Sequence, residues 1–204
     1  MIRVLSVDDH PLLREGVAAL IGSEEDMELV AEATNGREAI ELFRQNRPDV
    51  TLMDLQMPEM DGIDATSAIC REFPGSRIIV LTTYVGDVQV KRAIQAGARA
   101  YLLKGLLRKE LIETIRAVHG GQRRMSAEVA AEIAEHSYDD ALTAREIDVL
   151  RLIAGGNANK EIAAQLSITE ETVKGYVKNV LAKLDARDRT HAVTIGLKRG
   201  IFVL

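Results

Sequence analysis

The stretch TLMDLQMPEMDG, residues 51–62, decides the fold of the first half of this 204-residue chain. Its apolar beginning predicts a buried strand, and that strand ends in an acid, Asp54. A carboxylate at the end of a buried strand costs free energy unless other groups hold it there. We therefore expect Asp54 to belong to a site whose other members lie elsewhere in the chain.

Strand-like and helix-like segments alternate on both sides of this stretch. Five strands are predicted, at residues 2–7, 28–33, 49–53, 77–81 and 100–103, and each is followed by a helix-like segment. The segment RIIVL (77–81) is almost continuously apolar, as expected of a strand that is covered on both faces. Repeated strand–helix units produce a parallel sheet wrapped by helices. Residues 1–119 are therefore predicted to form a doubly wound, five-stranded parallel sheet of the α/β class.

The pattern changes after residue 119. Residues 120–140 are mostly polar and begin with a Gly-Gly pair, so they are predicted to be a linker. Beyond the linker the periodicity is purely helical, with candidate helices at 144–154, 159–166, 170–184 and 189–199. Four short helices predict a small all-α domain over residues 141–204.

The distribution of charge also indicates two modules. Residues 1–119 carry 14 basic and 19 acidic side chains, whereas residues 141–204 carry 10 basic and 7 acidic ones. A basic second module is suited to a polyanionic partner. No apolar run approaches the ~20 residues of a membrane helix, and the N-terminus lacks the layout of a signal peptide. We therefore expect a cytoplasmic protein that does not bind membranes.

Polar and charged side chains stand at the carboxyl ends of four predicted strands. They are Asp8 and Asp9 after the first strand, Asp54 after the third, Thr82 after the fourth and Lys104 after the fifth. In an open parallel sheet these ends meet at one edge, where ligands bind. Each residue alone fits a helix cap or a surface charge better than a site. Their joint placement reverses that preference and favours a site.

The charges of this group predict a bound cation. Three carboxylates and one lysine sum to −2, and like charges 4 Å apart repel by about 4 kcal/mol at an effective dielectric constant of 20. Oxygen ligands with few carboxylates suit Mg²⁺, which also accepts phosphate oxygens. Because aspartate can attack phosphorus, Asp54 is predicted to accept a phosphoryl group while Asp8 and Asp9 hold the metal. Lys104 and Thr82 would contact the phosphoryl oxygens.

Four segments of the first module resemble the receiver domain of two-component response regulators. The segments are VDDH (7–10), LMDLQMPEMDG (52–62), LTT (81–83) and AYLLK (100–104). The resemblance implies a flavodoxin-like fold, Mg²⁺ as cofactor and phosphotransfer to Asp54 from a sensor histidine kinase. It also implies a set of metal ligands, namely Asp8, Asp9, Asp54 and the backbone carbonyl of Gln56.

The same resemblance implies a switch in which Thr82 moves toward the phosphoryl group and Tyr101 turns inward. The alternative for Tyr101 is an ordinary, half-buried tyrosine beside a sheet edge. The chain departs from the family at two positions. Gly105, where many members have proline, follows Lys104, so the isomer of that peptide bond stays open. Thr83 stands where alanine is common, and we expect altered kinetics rather than lost function.

The rear module has the layout of a helix-turn-helix. Its third predicted helix carries an apolar stripe on one side and a polar face on the other, the latter formed by Thr172, Lys174, Lys178 and Asn179. Two lysines on an exposed helix face fit solubility as well as DNA binding. Four segments resemble the LuxR-type helix-turn-helix and place the chain in the NarL/FixJ subfamily of response regulators: LTAREIDVL (142–150), NKEIAAQL (159–166), TVKGYVKNVLAKL (172–184) and RTHAV (189–193).

This second resemblance implies that residues 170–184 form a recognition helix that lies in the major groove of double-stranded promoter DNA. The implied contacts are Lys174 and Lys178 to bases or nearby phosphates, and Lys160, Thr172, Tyr176 and Asn179 to the DNA backbone. Gly175 offers no side chain for base readout. The last helix, through Val193 and Leu197, is implied to mediate homodimerisation of the phosphorylated protein.

The sequence thus predicts a phosphorylation-controlled transcription factor, with RNA polymerase as a further candidate partner. It is not predicted to be an enzyme, although the receiver would assist its own phosphotransfer and dephosphorylation. A phosphohydrolase with an aspartyl nucleophile would want a second acid at position 56, where the chain has Gln56. A nucleotide-binding module would want a glycine-rich loop after the first strand. A regulator that binds DNA regardless of phosphorylation, or acts through protein contacts, stays open.

Overall fold

The computed structural model describes residues 1–83, 87–125, 129–130 and 141–202. The chain forms two compact units, the first built on residues 1–84 and 90–130 and the second mainly on residues 131–204. Within these described ranges, no helix is both long enough and apolar enough to cross a membrane.

The first unit contains a single parallel sheet. Its strands are β1 (Ile2–Val7), β2 (Met27–Ala33), β3 (Val50–Asp54), β4 (Ile78–Thr82), β5 (Ala100–Leu103) and β6 (Arg124–Met125). The strand order is β2-β1-β3-β4-β5-β6, and every neighbouring pair is parallel. Winding runs outward in both directions from β1, so the predicted doubly wound α/β topology is confirmed.

Five helices connect these strands in the part of the chain that is described. They are α1 (Pro11–Gly22), α2 (Gly36–Asn46), α3 (Gly62–Glu72), α4 (Asp87–Ala96) and α5 (Leu107–His119), and a short 3₁₀ turn, Lys104–Leu106, precedes α5. Side chains close two of the helix starts. Asn35 accepts hydrogen bonds from the first-turn N–H groups of α2, and Asp61 does so for α3. These caps satisfy backbone donors that a helix leaves free at its N-terminus.

The core lies on both faces of the sheet because successive strand residues point in opposite directions. Leu52 packs with residues of α1 and α5, whereas its neighbour Met53 packs with residues of α2 and α3. Every residue of β3 and β4 is buried. Full burial of one Leu, Ile or Val side chain stabilises the fold by about 1.5–3 kcal/mol. The two central strands are therefore held firmly, and so are the residues at their ends.

The sheet has one more strand than the five that the sequence predicts. Strand β6 comes from the predicted linker 120–140 and pairs with β5 in the register Ala100–Arg124 and Tyr101–Met125. An edge strand exposes a row of unpaired backbone groups, and two linker residues suffice to cover part of that row. So short a strand has no periodicity that a sequence could show. Most of the helix suggested within 126–135 lies outside the described residues, although 129–130 are helical.

The second unit is formed by four helices among its described residues, in agreement with the predicted small all-α domain. They are α6 (Ala144–Ala154), α7 (Asn159–Leu166), α8 (Glu170–Lys183) and α9 (Arg189–Lys198). Ser167 directly follows the end of α7 and adopts the left-handed conformation with φ of 55°, and α8 begins three residues later. This tight reversal produces a helix-turn-helix, with Val173 of α8 packed against Ile162 of α7.

Helix α8 is also tied to the start of α6. Glu146 accepts hydrogen bonds from the N–H and hydroxyl of Thr143, which form a capping box, and from Lys183 Nζ at 2.9 Å. The same Lys183 ammonium donates to the carbonyl of Ala141. This ion pair is buried at the Glu146 end and therefore fixes the C-terminal end of the predicted recognition helix relative to the domain core.

Candidate functional site

The polar residues predicted at the strand ends lie on the carboxyl edge of the sheet. Asp8 and Asp9 follow β1, Asp54 is the last residue of β3, and Thr82 is the last residue of β4. Lys104 follows β5 directly. Because β1, β3, β4 and β5 are adjacent and parallel, these residues share one edge.

Lys104 joins two of the acids in a buried pocket. Its Nζ lies 2.7 Å from Asp8 Oδ2 and 2.9 Å from Asp54 Oδ2. Asp8 is 2% exposed and Asp54 is 3% exposed, so the two carboxylates are almost completely removed from water. One ammonium therefore serves two buried carboxylates, which leaves the pocket with excess negative charge.

The pKa directions of the pocket reflect this imbalance. Burial raises the pKa of Asp54 above its usual range, and the Asp8 charge adds to that rise, although Lys104 opposes it. Burial also works against the charge on Lys104, but its contacts with Asp8 and Asp54 outweigh burial and raise the pKa of this amine. Lys104 consequently stays charged, whereas the positive charge near Asp54 is too small to offset the cost of burying its carboxylate in the ionised form.

The acidic cluster is able to hold a metal ion. Ligand atoms of Asp8, Asp9, His10 and Asp54 lie within 4.8 Å of one another. Three carboxylate oxygens, one each from Asp8, Asp9 and Asp54, are buried; those of Asp8 and Asp54 face the Lys104 ammonium, and that of Asp9 has no hydrogen-bond partner among the described residues. Buried oxygens with unused lone pairs are suitable ligands for a hard divalent cation. The cluster thus fits a metal, and the exposed Gln56 lies two residues beyond Asp54 in the following loop.

The loop after Asp54 is closed by backbone contacts that sequence reasoning did not identify. Asp54 Oδ1 accepts a hydrogen bond from the N–H of Leu55 at 2.8 Å. The Gly62 N–H donates to the Leu55 carbonyl, and a Cβ at residue 62 would lie 1.8 Å from the Asp54 carbonyl oxygen. Only glycine fits there. The dipeptide Asp-Gly at the end of the opening stretch was the signal for this tight approach.

A second interaction that the sequence did not reveal holds the loop after β1. Arg14, on the first turn of α1, donates through a guanidinium nitrogen to the Asp8 carbonyl at 2.7 Å. It also lies 3.7 Å from Glu32 at the end of β2. Arg14 thus anchors the backbone that carries both Asp8 and Asp9.

The two predicted switch residues are buried on adjacent strands. Thr82 and Tyr101 are 4% and 2% exposed, so Tyr101 is fully rather than half buried. Burial raises the pKa of Tyr101 to about 12; the interaction with Thr82 lowers it, and the Asp54 charge adds a smaller rise. The Tyr101 hydroxyl is buried, and Thr82 is the neighbour with which it interacts. Thr83 is exposed, and the Lys104–Gly105 peptide bond is trans.

The predicted DNA-binding residues lie on two helices of the second unit. Thr172, Lys174, Lys178 and Asn179 are exposed on α8, and Lys160 is exposed on α7. Lys174 contacts Glu171 at 3.2 Å, which partly offsets its charge. Tyr176 is half-buried because it packs against the core between α6 and α7. A Cβ at Gly175 would meet nothing within 4 Å, so the centre of this face is bare backbone.

The two predicted dimer residues have a mixed environment. Val193 and Leu197 are half-buried on α9 and pack against the core of their own domain. Only part of each side chain is therefore available to a partner.

A parallel α/β module with a buried acidic pocket, on the same chain as a helix-turn-helix domain, defines a signal-responsive transcription regulator. The chain belongs to the response-regulator family. Residues 4–116 match the response regulator receiver domain, and residues 140–195 match the bacterial regulatory proteins of the luxR family. The predicted family is confirmed.

Known relatives match this chain over nearly their whole length. The transcriptional regulatory protein LiaR of Bacillus subtilis is 45% identical over 200 residues, which cover 94% of this chain and 95% of LiaR. The response regulator protein VraR of Staphylococcus aureus is 37% identical over 205 residues, which cover 98% of each chain. Both modules are therefore present in the relatives in the same order.

Solved structures show the same architecture. The response regulator ChrA of a heme-sensing two-component system is 34% identical, with a TM-score of 0.60 over 98% of both chains. RcsB from Salmonella enterica serovar Typhimurium, bound to promoter DNA in the presence of the phosphomimetic BeF3−, is 26% identical. Its TM-score is 0.75, with 97% of this chain and 98% of RcsB covered.

Proposed function

We propose that a phosphoryl group on Asp54 controls the binding of this regulator to promoter DNA. The observation that carries the proposal is the bridge that Lys104 makes between Asp8 and Asp54, at 2.7 and 2.9 Å. It joins the ends of β1, β3 and β5 around a buried aspartate. Burial and the excess negative charge destabilise the ionised form of that aspartate, so binding of a cation is favourable, and the bound cation can in turn attract a phosphoryl group.

A sensor histidine kinase is the phosphoryl donor in this proposal. An oxygen of Asp54 attacks the phosphorus of the kinase's phosphohistidine, so a P–O bond forms while the P–N bond breaks and the departing imidazole takes up a proton. Bound Mg²⁺ supplies positive charge that offsets the carboxylates and the incoming phosphoryl oxygens. Asp8, Asp9, Asp54 and the Gln56 carbonyl would hold it. The same pocket would assist hydrolysis of the acyl phosphate.

Lys104 and Thr82 then respond to the new group. The Lys104 ammonium pairs with a phosphoryl oxygen, and the Thr82 hydroxyl donates a hydrogen bond to another. Charge-assisted bonds of this kind contribute about 1.5–3 kcal/mol each. Moving a two-state receiver from 1:99 to 99:1 requires about 5.5 kcal/mol, so a few such bonds suffice. Buried Tyr101, beside Thr82, would take part in the switch.

The output is DNA binding by α8 as the recognition helix. Lys174 and Lys178 face bases or nearby phosphates, and the remaining proposed backbone contacts are Lys160, Thr172, Tyr176 and Asn179. The exposed positions of the lysines and the promoter-bound structure of the relative RcsB support this assignment. Dimerisation through the exposed parts of Val193 and Leu197 would place two such helices on one site. RNA polymerase is a further proposed partner, and the cytoplasm is the proposed location.

A small phosphodonor tests the phosphorylation step on the full chain. Acetyl phosphate with Mg²⁺ should add one phosphoryl group by intact mass and tighten binding to DNA selected by the chain from a random pool. Asp54→Ala should remove both effects, whereas Glu59→Gln, an exposed acid in the same loop, should keep them. Phosphorylation without a change in DNA affinity would instead support the alternative of a regulator whose DNA binding does not depend on phosphorylation. Steady turnover of phosphomonoesters would support a phosphohydrolase.

Charge removal on α8 tests the DNA-binding surface separately. Lys174→Ala and Lys178→Ala should abolish specific DNA binding and leave phosphorylation of Asp54 intact. Removal of one phosphate-binding lysine should lower the slope of log affinity against log salt by about 1. Lys109→Ala, an exposed lysine on α5, is the matched control and should bind DNA normally. Retained specific binding in both α8 variants would show that the helix is wrongly assigned.

A further inference from the structure

The acidic pocket contains a nitrogen donor that the proposed ligand set does not use. His10 Nδ1 lies 2.8 Å from Asp9 Oδ1 and 3.2 Å from Asp8 Oδ1. The backbone N–H of His10 also donates to Asp8 Oδ1 at 2.9 Å. The imidazole is therefore directed at the two carboxylates of the β1 edge, although 68% of its side chain is exposed to solvent.

The approach of His10 to Asp9 is short but is not a hydrogen bond. Asp9 Oδ1 is buried and has no hydrogen-bond partner among the residues described, even though His10 Nδ1 is 2.8 Å away. The approach to Asp8, by comparison, does satisfy hydrogen-bond geometry. Two neighbouring ligands of a six-coordinate ion with bonds of about 2.1 Å are about 3.0 Å apart. The separations of 2.8 and 3.2 Å match that spacing.

The backbone holds His10 in this position. His10 has φ of −88° and ψ of 108°, and Pro11 follows it as the first residue of α1. A proline restricts the preceding residue to such extended conformations. The ring is thus carried by a restrained backbone on the solvent side of the pocket, where it can meet a cation without disturbing the packed core.

We propose that His10 is a ligand of the cation in this pocket and that it shifts the selectivity of the site toward imidazole-binding divalent metals. The inference rests on the proposed role of Asp8, Asp9 and Asp54 as metal ligands. Mg²⁺ prefers oxygen ligands and gains little from an imidazole. Zn²⁺, Co²⁺ and Ni²⁺ bind imidazole well and follow a steep affinity order at mixed nitrogen–oxygen sites. Such metals would therefore compete with Mg²⁺ for the receiver pocket.

Metal titrations of the full chain test this selectivity. Dissociation constants for MgCl₂ and CoCl₂ are measured by calorimetry on the wild type and on His10→Ala. The ratio of the Co²⁺ constant to the Mg²⁺ constant should rise at least tenfold in the variant, since loss of even an outer-shell partner of a metal ligand typically costs about 10–100-fold in affinity. The matched control is His119→Ala, at the end of α5, which should keep the wild-type ratio. An unchanged ratio in His10→Ala would overturn the proposal.

Spectroscopy provides a second readout that does not depend on activity. The visible absorption of bound Co²⁺ reports its ligands, so the wild-type spectrum should change in His10→Ala and stay the same in His119→Ala. Identical spectra in all three proteins would contradict His10 ligation. The proposed function fails separately: it falls if the wild type takes no phosphoryl group with Mg²⁺. Normal phosphorylation with Mg²⁺ and an unaltered metal ratio in His10→Ala would reject only the role of His10.

Discussion

Asp54 in the first unit and Glu146 in the second are both buried acids that contact a lysine. Each is 3% exposed, and each lies 2.9 Å from an ammonium, Lys104 for Asp54 and Lys183 for Glu146. Their electrostatic situations nevertheless differ. Burial raises the pKa of Asp54, and Lys104 does not overcome it. Burial also works against the charge on Glu146, but Lys183 and the two Thr143 donors prevail, so the pKa of Glu146 lies below its usual range.

The difference comes from the number of donors that each acid receives. Glu146 has a whole capping box and a lysine that pairs with no second carboxylate among the described residues. Asp54 has one backbone donor and shares its lysine with Asp8. A buried acid that receives enough hydrogen-bond donors stabilises the folded state. A buried acid with too few donors raises the free energy of the folded state unless a cation or another partner binds it. The contrast separates a structural acid from one that is suited to function.

The largest expected effect is on the satisfied acid. Glu146→Gln should lower the free energy of unfolding of the second unit by about 2–3 kcal/mol at pH 7, because Lys183 loses its charged partner. Because the pKa of Glu146 is lower in the folded protein than in the unfolded chain, its ionised carboxylate stabilises the folded state at pH values above the ordinary pKa of glutamate. This stabilisation is lost as the pH falls and the carboxylate is protonated. The difference between variant and wild type should therefore close below about pH 4. Urea unfolding followed by circular dichroism measures it, and Glu170→Gln, an exposed acid on α8, should change little.

Addition of Mg²⁺ should raise the free energy of unfolding of the first unit, which contains Asp54, and leave that of the second unit unchanged. At about ten times its dissociation constant, a ligand that binds the folded state alone adds about 1.4 kcal/mol to the free energy of unfolding. The first unit of the wild type should show this gain, and Asp9→Asn should show much less of it. Thermal unfolding with and without MgCl₂ provides the measurement. An equal gain in Asp9→Asn would place the ion elsewhere.

Removal of the charge on Asp54 should change the free energy of unfolding in the opposite direction to removal of the charge on Glu146. Without Mg²⁺ at pH 7, Asp54→Asn should raise the free energy of unfolding of the first unit, because burial disfavours the charge on Asp54 and the neutral amide carries none. A raised folded pKa means that the wild type suffers no penalty at low pH and loses stability as the pH rises toward that pKa. The advantage of the variant should therefore grow from about pH 4 upward. A destabilised Asp54→Asn at neutral pH would refute the contrast between the two acids.

The smallest expected effect concerns two exposed helical glycines, Gly16 and Gly175. Gly175→Ala on α8 should stabilise the second unit by about 0.5–1 kcal/mol, because a glycine inside a helix costs up to ~1 kcal/mol and the new Cβ meets nothing within 4 Å. Gly16→Ala on α1 has the same free space and should give a similar gain. Gly62→Ala should instead destabilise, because its Cβ would collide with the Asp54 carbonyl. Melting temperatures of the three variants test this order.

The elements with strong local periodicity were predicted well from the sequence. The predicted helix 159–166 coincides with α7, and the helix predicted at 144–154 coincides with α6. Their apolar positions repeat at the helical period, so the signal lies within each segment. Strand β6 was not predicted, because it depends on the unpaired edge of β5 rather than on its own two residues.

The candidate site was predicted only as a set of residues at strand ends. Parallel strands bring their carboxyl ends together, and this rule alone placed Asp8, Asp54 and Lys104 on one edge. The interactions of His10, Arg14 and Gly62 were missed. They depend on the path of the loops after β1 and β3, which no spacing in the sequence specifies. The roles of the DNA-binding and dimer residues stay predictions.

By itself the sequence determined the two modules, the order of their elements and the acids that could meet, since each follows from local periodicity and from the geometry of parallel strands. Only the tertiary structure decided which buried acid is satisfied. Lys183 and Lys104 are distant in sequence from the acids they contact. The number of donors that reach a buried carboxylate is set by how the whole chain packs, and that number determines whether the acid stabilises the fold or stays available for a ligand.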